Sequence, residues 1–177
     1  LNRNKNPSLD IRANSHAEKT GIISFAGQSI PCVLGKGGIV AHKIEGDGAT
    51  PRGTFNILYG FYRSDRIRSL STNIIMIATK KDYGWCDDTD SPLYNRFVRL
   101  PTKWRHETLW REDNLYDICL VLDHNLHPRK QNCGSAIFFH LKHSDNNPTE
   151  GCIAVSLAHM KKLLMRCKTN STINIHL

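Results

Sequence analysis

Residues 134–156 read GSAIFFHLKHSDNNPTEGCIAVS: two apolar runs of strand length joined by a polar loop, with a histidine near the end of the first and a cysteine opening the second. The segment 135–141, SAIFFHL, is rich in branched and aromatic residues and predicts a core strand with His140 near its far end. Residues 142–150 are polar and contain Asn147-Pro148, which predicts a loop. Gly151 then precedes Cys152, residues 153–155 resume a strand-like run, and Ser156 suits a helix N-cap because its hydroxyl can accept a backbone N–H. Cys152 therefore sits where loop becomes regular structure.

Glycine ahead of a thiol permits close approach of a substrate backbone and leaves amide N–H groups to face a developing oxyanion. An imidazole returned to the same place by the loop can take the thiol proton and leave a thiolate–imidazolium pair. The same residue types also fit a plain core, since cysteine packs as a small apolar group. His140, His143 and Cys152 are in addition a possible zinc set. Histidine precedes cysteine, the reverse of the papain-like order, and no cysteine is followed by the arginine of a phosphate-cradling phosphatase loop.

The stretch resembles the active-site segment of the L,D-transpeptidases, the YkuD-type catalytic domain, in which an apolar strand ends in His and a variable loop leads to Ser/Thr-x-Gly-Cys. The matching residues are Ile137-Phe138-Phe139-His140 and Thr149-Glu150-Gly151-Cys152. Gly46-Asp47-Gly48-Ala49-Thr50-Pro51-Arg52-Gly53-Thr54-Phe55 is similar to the family's TPxG turn and strand. Tyr83-Gly84-Trp85-Cys86-Asp87-Asp88, Tyr94-Asn95-Arg96, Leu109-Trp110-Arg111-Glu112-Asp113 and Leu115-Tyr116-Asp117 resemble a compact proteobacterial branch. Two positions depart from the commoner pattern: Glu150 stands where His is usual, and Ala154 where Arg or Asn is usual.

The resemblance implies a mainly β, sandwich-like mixed fold with one or more helices, and a single catalytic domain over residues 9–177 after a flexible segment 1–8. It implies acyl transfer from a peptidoglycan tetrapeptide stem through a thioester on Cys152 to an amine, with His140 as acid and base. Gly151, Thr149 and His143 are the expected oxyanion and substrate contacts. A backbone carbonyl near Leu141 or His143 is expected to orient His140, with Asp117 as the alternative. Neither metal nor organic cofactor is required, and carbapenems are the expected inhibitors. The implied setting is the bacterial cell envelope, in the periplasm, with the protein as a monomer. Hydrolysis of the same thioester, an L,D-carboxypeptidase, is the alternative activity. A non-catalytic peptidoglycan-binding or zinc-stabilised module is the alternative of a different class.

At 177 residues the chain can bury a core without staples. Lys and Arg number 24 against 16 Asp and Glu, a net charge of +8 that favours anionic partners. The basic residues are scattered and no RNA-binding aromatic signature is present, so nucleic acid is not an expected partner. Six cysteines, at 32, 86, 119, 133, 152 and 167, leave an odd five once Cys152 is set aside, which argues against a full disulfide framework. No apolar run reaches membrane-spanning length, and no signal peptide is visible.

Elsewhere, residues 21–25 and 29–34 predict a hairpin around Ala26-Gly27-Gln28, and 35–38 a glycine turn rather than a phosphate loop. Strands are expected at 54–59, 73–79, 116–122 and 172–177, and an amphipathic helix over 156–167. The segment 80–95 reads as loop. Arg63, Arg66, Arg96 and Arg111 are candidates for a substrate carboxylate, which a guanidinium can hold through two parallel bonds. Glu45 with Asp47, and Cys119, His124, His127 and Cys133, are weaker metal-ligand candidates.

Overall fold

The computed structural model describes residues 7–177. Its strands are β1 Ser8–Arg12, β2 Thr20–Phe25, β3 Gln28–Val33, β4 Ile39–Val40, β5 Thr50–Pro51, β6 Gly53–Tyr62, β7 Met76–Ala78, β8 Tyr83–Cys86, β9 Arg96–Arg99, β10 His106–Thr108, β11 Ile118–Leu122, β12 Phe138–Leu141, β13 Ile153–Val155 and β14 Thr172–His176. The helix α1 spans Leu157–Leu164. The fold is thus mainly β with a short helix, as the sequence predicts.

The large sheet runs β11-β12-β13-β3-β2-β1-β14-β6-β7, and β11 also pairs with β6, so eight strands close into a ring. The ten-residue β6 makes the closure, with residues 53–56 against β14 and residues 57–62 against β11. Period-two alternation sends Ile118, Leu120 and Leu122 of β11, Phe139 and Leu141 of β12, and Ile153 and Val155 of β13 to one face. There they meet Met160, Leu163 and Leu164 of α1 in the main core. Ser156 caps α1 by accepting from the His159 N–H.

The other face of β11 and β12 carries a second cluster: Phe61, Tyr83, Trp85, Leu109, Tyr116, Cys119, Val121, Phe138 and Cys152. A three-stranded sheet, β10-β8-β9, supplies Tyr83 and Trp85 to it. The sequence predicts loop over 80–95, whereas the structure places β8 there. All four residues of β8 are buried, so no alternation marks it.

The hairpin forms as expected, with Ala26 and Gly27 at positive φ between β2 and β3. Several strands are shorter than their apolar runs: β12 begins at Phe138 because Ala136, at φ 50°, turns the chain out of extended geometry. Residues 1–6 of the expected flexible segment lie outside the described residues, whereas Ser8 already pairs with Thr172. All six cysteines are free thiols.

Candidate active site

Phe138 and His140 lie on one face of β12, and Ala154 of the parallel neighbour β13 stands in register with His140. Cys152 immediately precedes β13, so its side chain shares the face of Ala154. Cys152 and His140 consequently line one cavity of about 630 Å³, whose wall also includes Glu107, Arg111, Tyr116, Lys142, His143 and Thr149. Thiol and imidazole thus share one environment.

The thiol of Cys152 donates to the Ala136 carbonyl at 3.2 Å, and the Phe138 N–H points at the sulfur from 3.3 Å. Burial pushes the Cys152 thiol up to about 12, with the nearby Glu107 charge adding to the shift and the Phe138 N–H opposing it. His140 Nδ1 lies 2.7 Å from the Leu141 carbonyl. A carbonyl can only accept, so Nδ1 carries the proton and neutral His140 keeps its lone pair on Nε2. Burial pulls His140 down to about 4. At neutral pH the resting pair is therefore thiol and neutral imidazole, not the thiolate–imidazolium pair.

The expected orienting carbonyl is that of Leu141, while Asp117 instead pairs with Arg66 at 2.9 Å. Thr149 lines the cavity and ties the turn together: its Oγ1 donates to the Cys152 carbonyl at 2.7 Å and accepts from the Gly151 N–H at 3.1 Å. Gly151 has φ 130°, and a Cβ there would sit 2.8 Å from the Ala49 carbonyl oxygen. Glycine is required by the packing of this turn against the 46–53 loop, a reason distinct from substrate access. His143 lines the cavity with its Nδ1 against Asp145.

Asp47 organises the 46–53 loop by accepting from the Ile44 and Ala49 N–H groups and pairing with Lys43. Thr149 is anchored from the neighbouring loop, where the Lys36 N–H donates to its carbonyl at 2.8 Å. Among the described residues no group of three or more His, Cys, Asp or Glu is placed to hold a metal ion. Cys119 is buried in the aromatic cluster and His124 Nε2 bonds the Cys133 carbonyl, so the proposed zinc series has no common centre.

Of the four candidate arginines, Arg111 reaches the cavity. Arg63 is 3% exposed, stacks 3.7 Å from the Trp110 ring centroid and donates to the Arg111 carbonyl at 2.6 Å. Arg66 donates to the Asp113 and Glu112 carbonyls as well as to Asp117. Both brace the 109–117 segment and are structural. Arg96 is exposed on β9.

Glu107 stands in none of the sequence motifs, and Tyr116 enters one, Leu115-Tyr116-Asp117, without an assigned role. Tyr116 is buried, donates its hydroxyl to Glu107, and packs edge-on to Phe138 and His140 at 5.8 and 5.1 Å between centroids. Glu107 sits on the three-residue β10, too short to show a period, so only tertiary pairing to β8 reveals its place.

Residues 24–175 match the family model of the YkuD L,D-transpeptidase catalytic domain. Among solved structures, the chain aligns with L,D-transpeptidase 1 of Mycobacterium tuberculosis at 11% identity and TM-score 0.43, covering 96% of this chain and 58% of that one. An L,D-transpeptidase from Mycobacterium smegmatis aligns at 14% identity and TM-score 0.44, covering 97% and 58%. One from Stackebrandtia nassauensis aligns at 12% and 0.40, covering 100% and 58%. The chain thus spans less than two thirds of the solved chains it matches, and no curated protein matches it. The match over residues 24–175 takes in the His140 strand, the Gly151-Cys152 turn and the neighbouring strands β11, β13 and β3, and the chain belongs to the YkuD family of L,D-transpeptidase catalytic domains.

Proposed function

We propose that the protein is a peptidoglycan L,D-transpeptidase of the cell envelope, acting in the periplasm, that transfers an acyl group through a Cys152 thioester. The supporting observation is the placement of Cys152 and His140 on one cavity wall with the lone pair of His140 on Nε2. The donor is a tetrapeptide stem, attacked at the carbonyl of its third, diamino-acid residue.

In this reading His140 Nε2 takes the Cys152 proton as sulfur attacks the carbonyl carbon, and the carbonyl π electrons move to oxygen. The Cys152 amide faces the oxyanion; the Gly151 N–H, committed to Thr149, holds the turn instead. Collapse breaks the C–N bond, His140 returns its proton to the departing D-alanine amine, and the thioester remains. An incoming amine then gives up a proton to His140 as it attacks the thioester carbonyl; the C–S bond breaks and His140 returns that proton to the Cys152 sulfur. Deprotonation occurs in concert with attack because neither group is ionised beforehand.

Intact-mass spectrometry after mixing with a carbapenem tests the nucleophile: a single adduct, abolished in Cys152→Ala, is expected, and an unmodified wild-type protein counts against the assignment. Muropeptide analysis of treated sacculi tests the fate of the thioester. New cross-links are expected; trimmed tripeptides alone would make the protein a carboxypeptidase.

A further inference from the structure

The chain carries a net charge of +8, yet Glu45, Asp87, Glu107 and Glu150 all reach the cavity beside Cys152. Three of these have partners elsewhere: Glu45 accepts from Tyr94, Asp87 pairs with Arg105, and Glu150 pairs with Lys36. Glu107 differs. Its close partner is the neutral hydroxyl of Tyr116, and its nearest cation, Arg111 Nη1, is 3.9 Å from Oε1, beyond a hydrogen bond. Arg111 in turn commits Nε and Nη2 to Asp113, at 2.8 and 2.6 Å, leaving Nη1 as the edge turned toward Glu107.

A carboxylate in this position works against a thiol nucleophile, since its charge raises the Cys152 thiol. A positive group set on Glu107 would cancel that field. We propose that Glu107 and Arg111 form a paired receptor for an amino-acid head group, with the ammonium on the Glu107 carboxylate and the neighbouring carboxylate on Arg111 Nη1. A carboxylate and a guanidinium nitrogen 3.9 Å apart suit the two charges carried on a single carbon. Arg63 and Asp113 hold Arg111 from its backbone and its far edge, so the receptor is preorganised.

The inference rests on the transpeptidase reading and names the substrate group selected there. Two sources offer this chemistry: the distal end of the donor's diamino acid, and a free amino-acid acceptor. The probes are three synthetic tetrapeptide stems whose third residue ends in both charges, in the ammonium alone, or in the carboxylate alone. D-alanine release without acceptor reads the donor, and partition of the thioester to glycine or to methylamine reads the acceptor. In wild type the two-charge group is favoured. Glu107→Gln should erase about tenfold of the preference for the ammonium, and Arg111→Ala a similar share of that for the carboxylate, as expected for charge-assisted bonds.

Loss of preference during D-alanine release assigns the receptor to the donor; loss confined to partition assigns it to the acceptor. Preferences unchanged in both variants overturn the receptor. Should Glu107→Gln fail to fold, Glu107→Asp and Tyr116→Phe displace the same carboxylate, and unaltered ammonium preference in both overturns it equally. The carbapenem adduct on wild-type Cys152 separates the two levels: an adduct with unchanged preferences sinks only the receptor, whereas no adduct sinks the transpeptidase reading itself.

Discussion

The sulfur of Cys152 lies 3.2 Å from the carbonyl oxygen of Ala136 and 3.3 Å from the amide nitrogen of Phe138, so one neighbour accepts from the thiol and the other suits the thiolate. Burial, with the Glu107 charge adding to it and the Phe138 N–H opposing it, holds the proton on sulfur in the resting protein, pushing the thiol up to about 12. Alkylation by iodoacetamide should therefore rise by about tenfold per pH unit from 7 to 10, with no plateau in that range. A plateau near neutral pH, followed by mass spectrometry of the Cys152 peptide, would contradict the buried-thiol account.

His140 titrates in the opposite sense. Its ordinary value of 6.5 falls to about 4 on folding, so the neutral form is favoured in the folded chain. The unfolded chain binds the proton first as pH falls, and the stability associated with neutral His140 is complete above 6.5 and lost on the way down to about 4. As a base, His140 should remain competent through pH 5, with acylation declining only as pH approaches 4. His140→Ala should lower D-alanine release by about a hundredfold or more, and should abolish this acid limb in the residual rate.

Gly151→Ala should destabilise the fold by about 2–3 kcal/mol, because an alanine must accept a glycine-only φ while its Cβ meets the Ala49 carbonyl. Urea unfolding followed by tryptophan fluorescence measures this. A change below about 0.5 kcal/mol, the scale of an ordinary surface substitution, would show that the turn relaxes freely.

Arg63 is far from the sulfur in sequence but holds the segment that carries Arg111. Arg63→Met removes its bond to the Arg111 carbonyl, its stacking on Trp110 and its pair with Asp65. A loss of about 1–3 kcal/mol is expected on denaturant unfolding. KM for the two-charge stem should rise while the rate of Cys152 alkylation stays within twofold. Equal loss of both would indicate general collapse of the site.

Ser156→Ala removes the cap of α1 and should cost about 1 kcal/mol. The cap lies on the main-core side of the sheet, so circular dichroism melting should shift while the Cys152 adduct still forms.

The chain by itself determined the strand ending in His140, the loop, the Gly151-Cys152 turn and the capped helix that follows. These are local: branched and aromatic runs, a proline-containing polar stretch and a capping serine act within a few residues of one another. It also marked Thr149 and His143, which do reach the cavity, and the family to which the domain belongs. Tertiary structure alone decided which face of β12 the chemistry occupies, that the Leu141 carbonyl fixes the imidazole, and that Arg111 rather than Arg63 or Arg66 enters the site. It alone brought Glu107 beside Cys152, 45 positions later in the chain, by pairing a three-residue strand to a fully buried one. Such short or wholly buried strands carry no alternation, and the Cys152 thiol acquires its altered acidity only from the neighbours that folding packs around it.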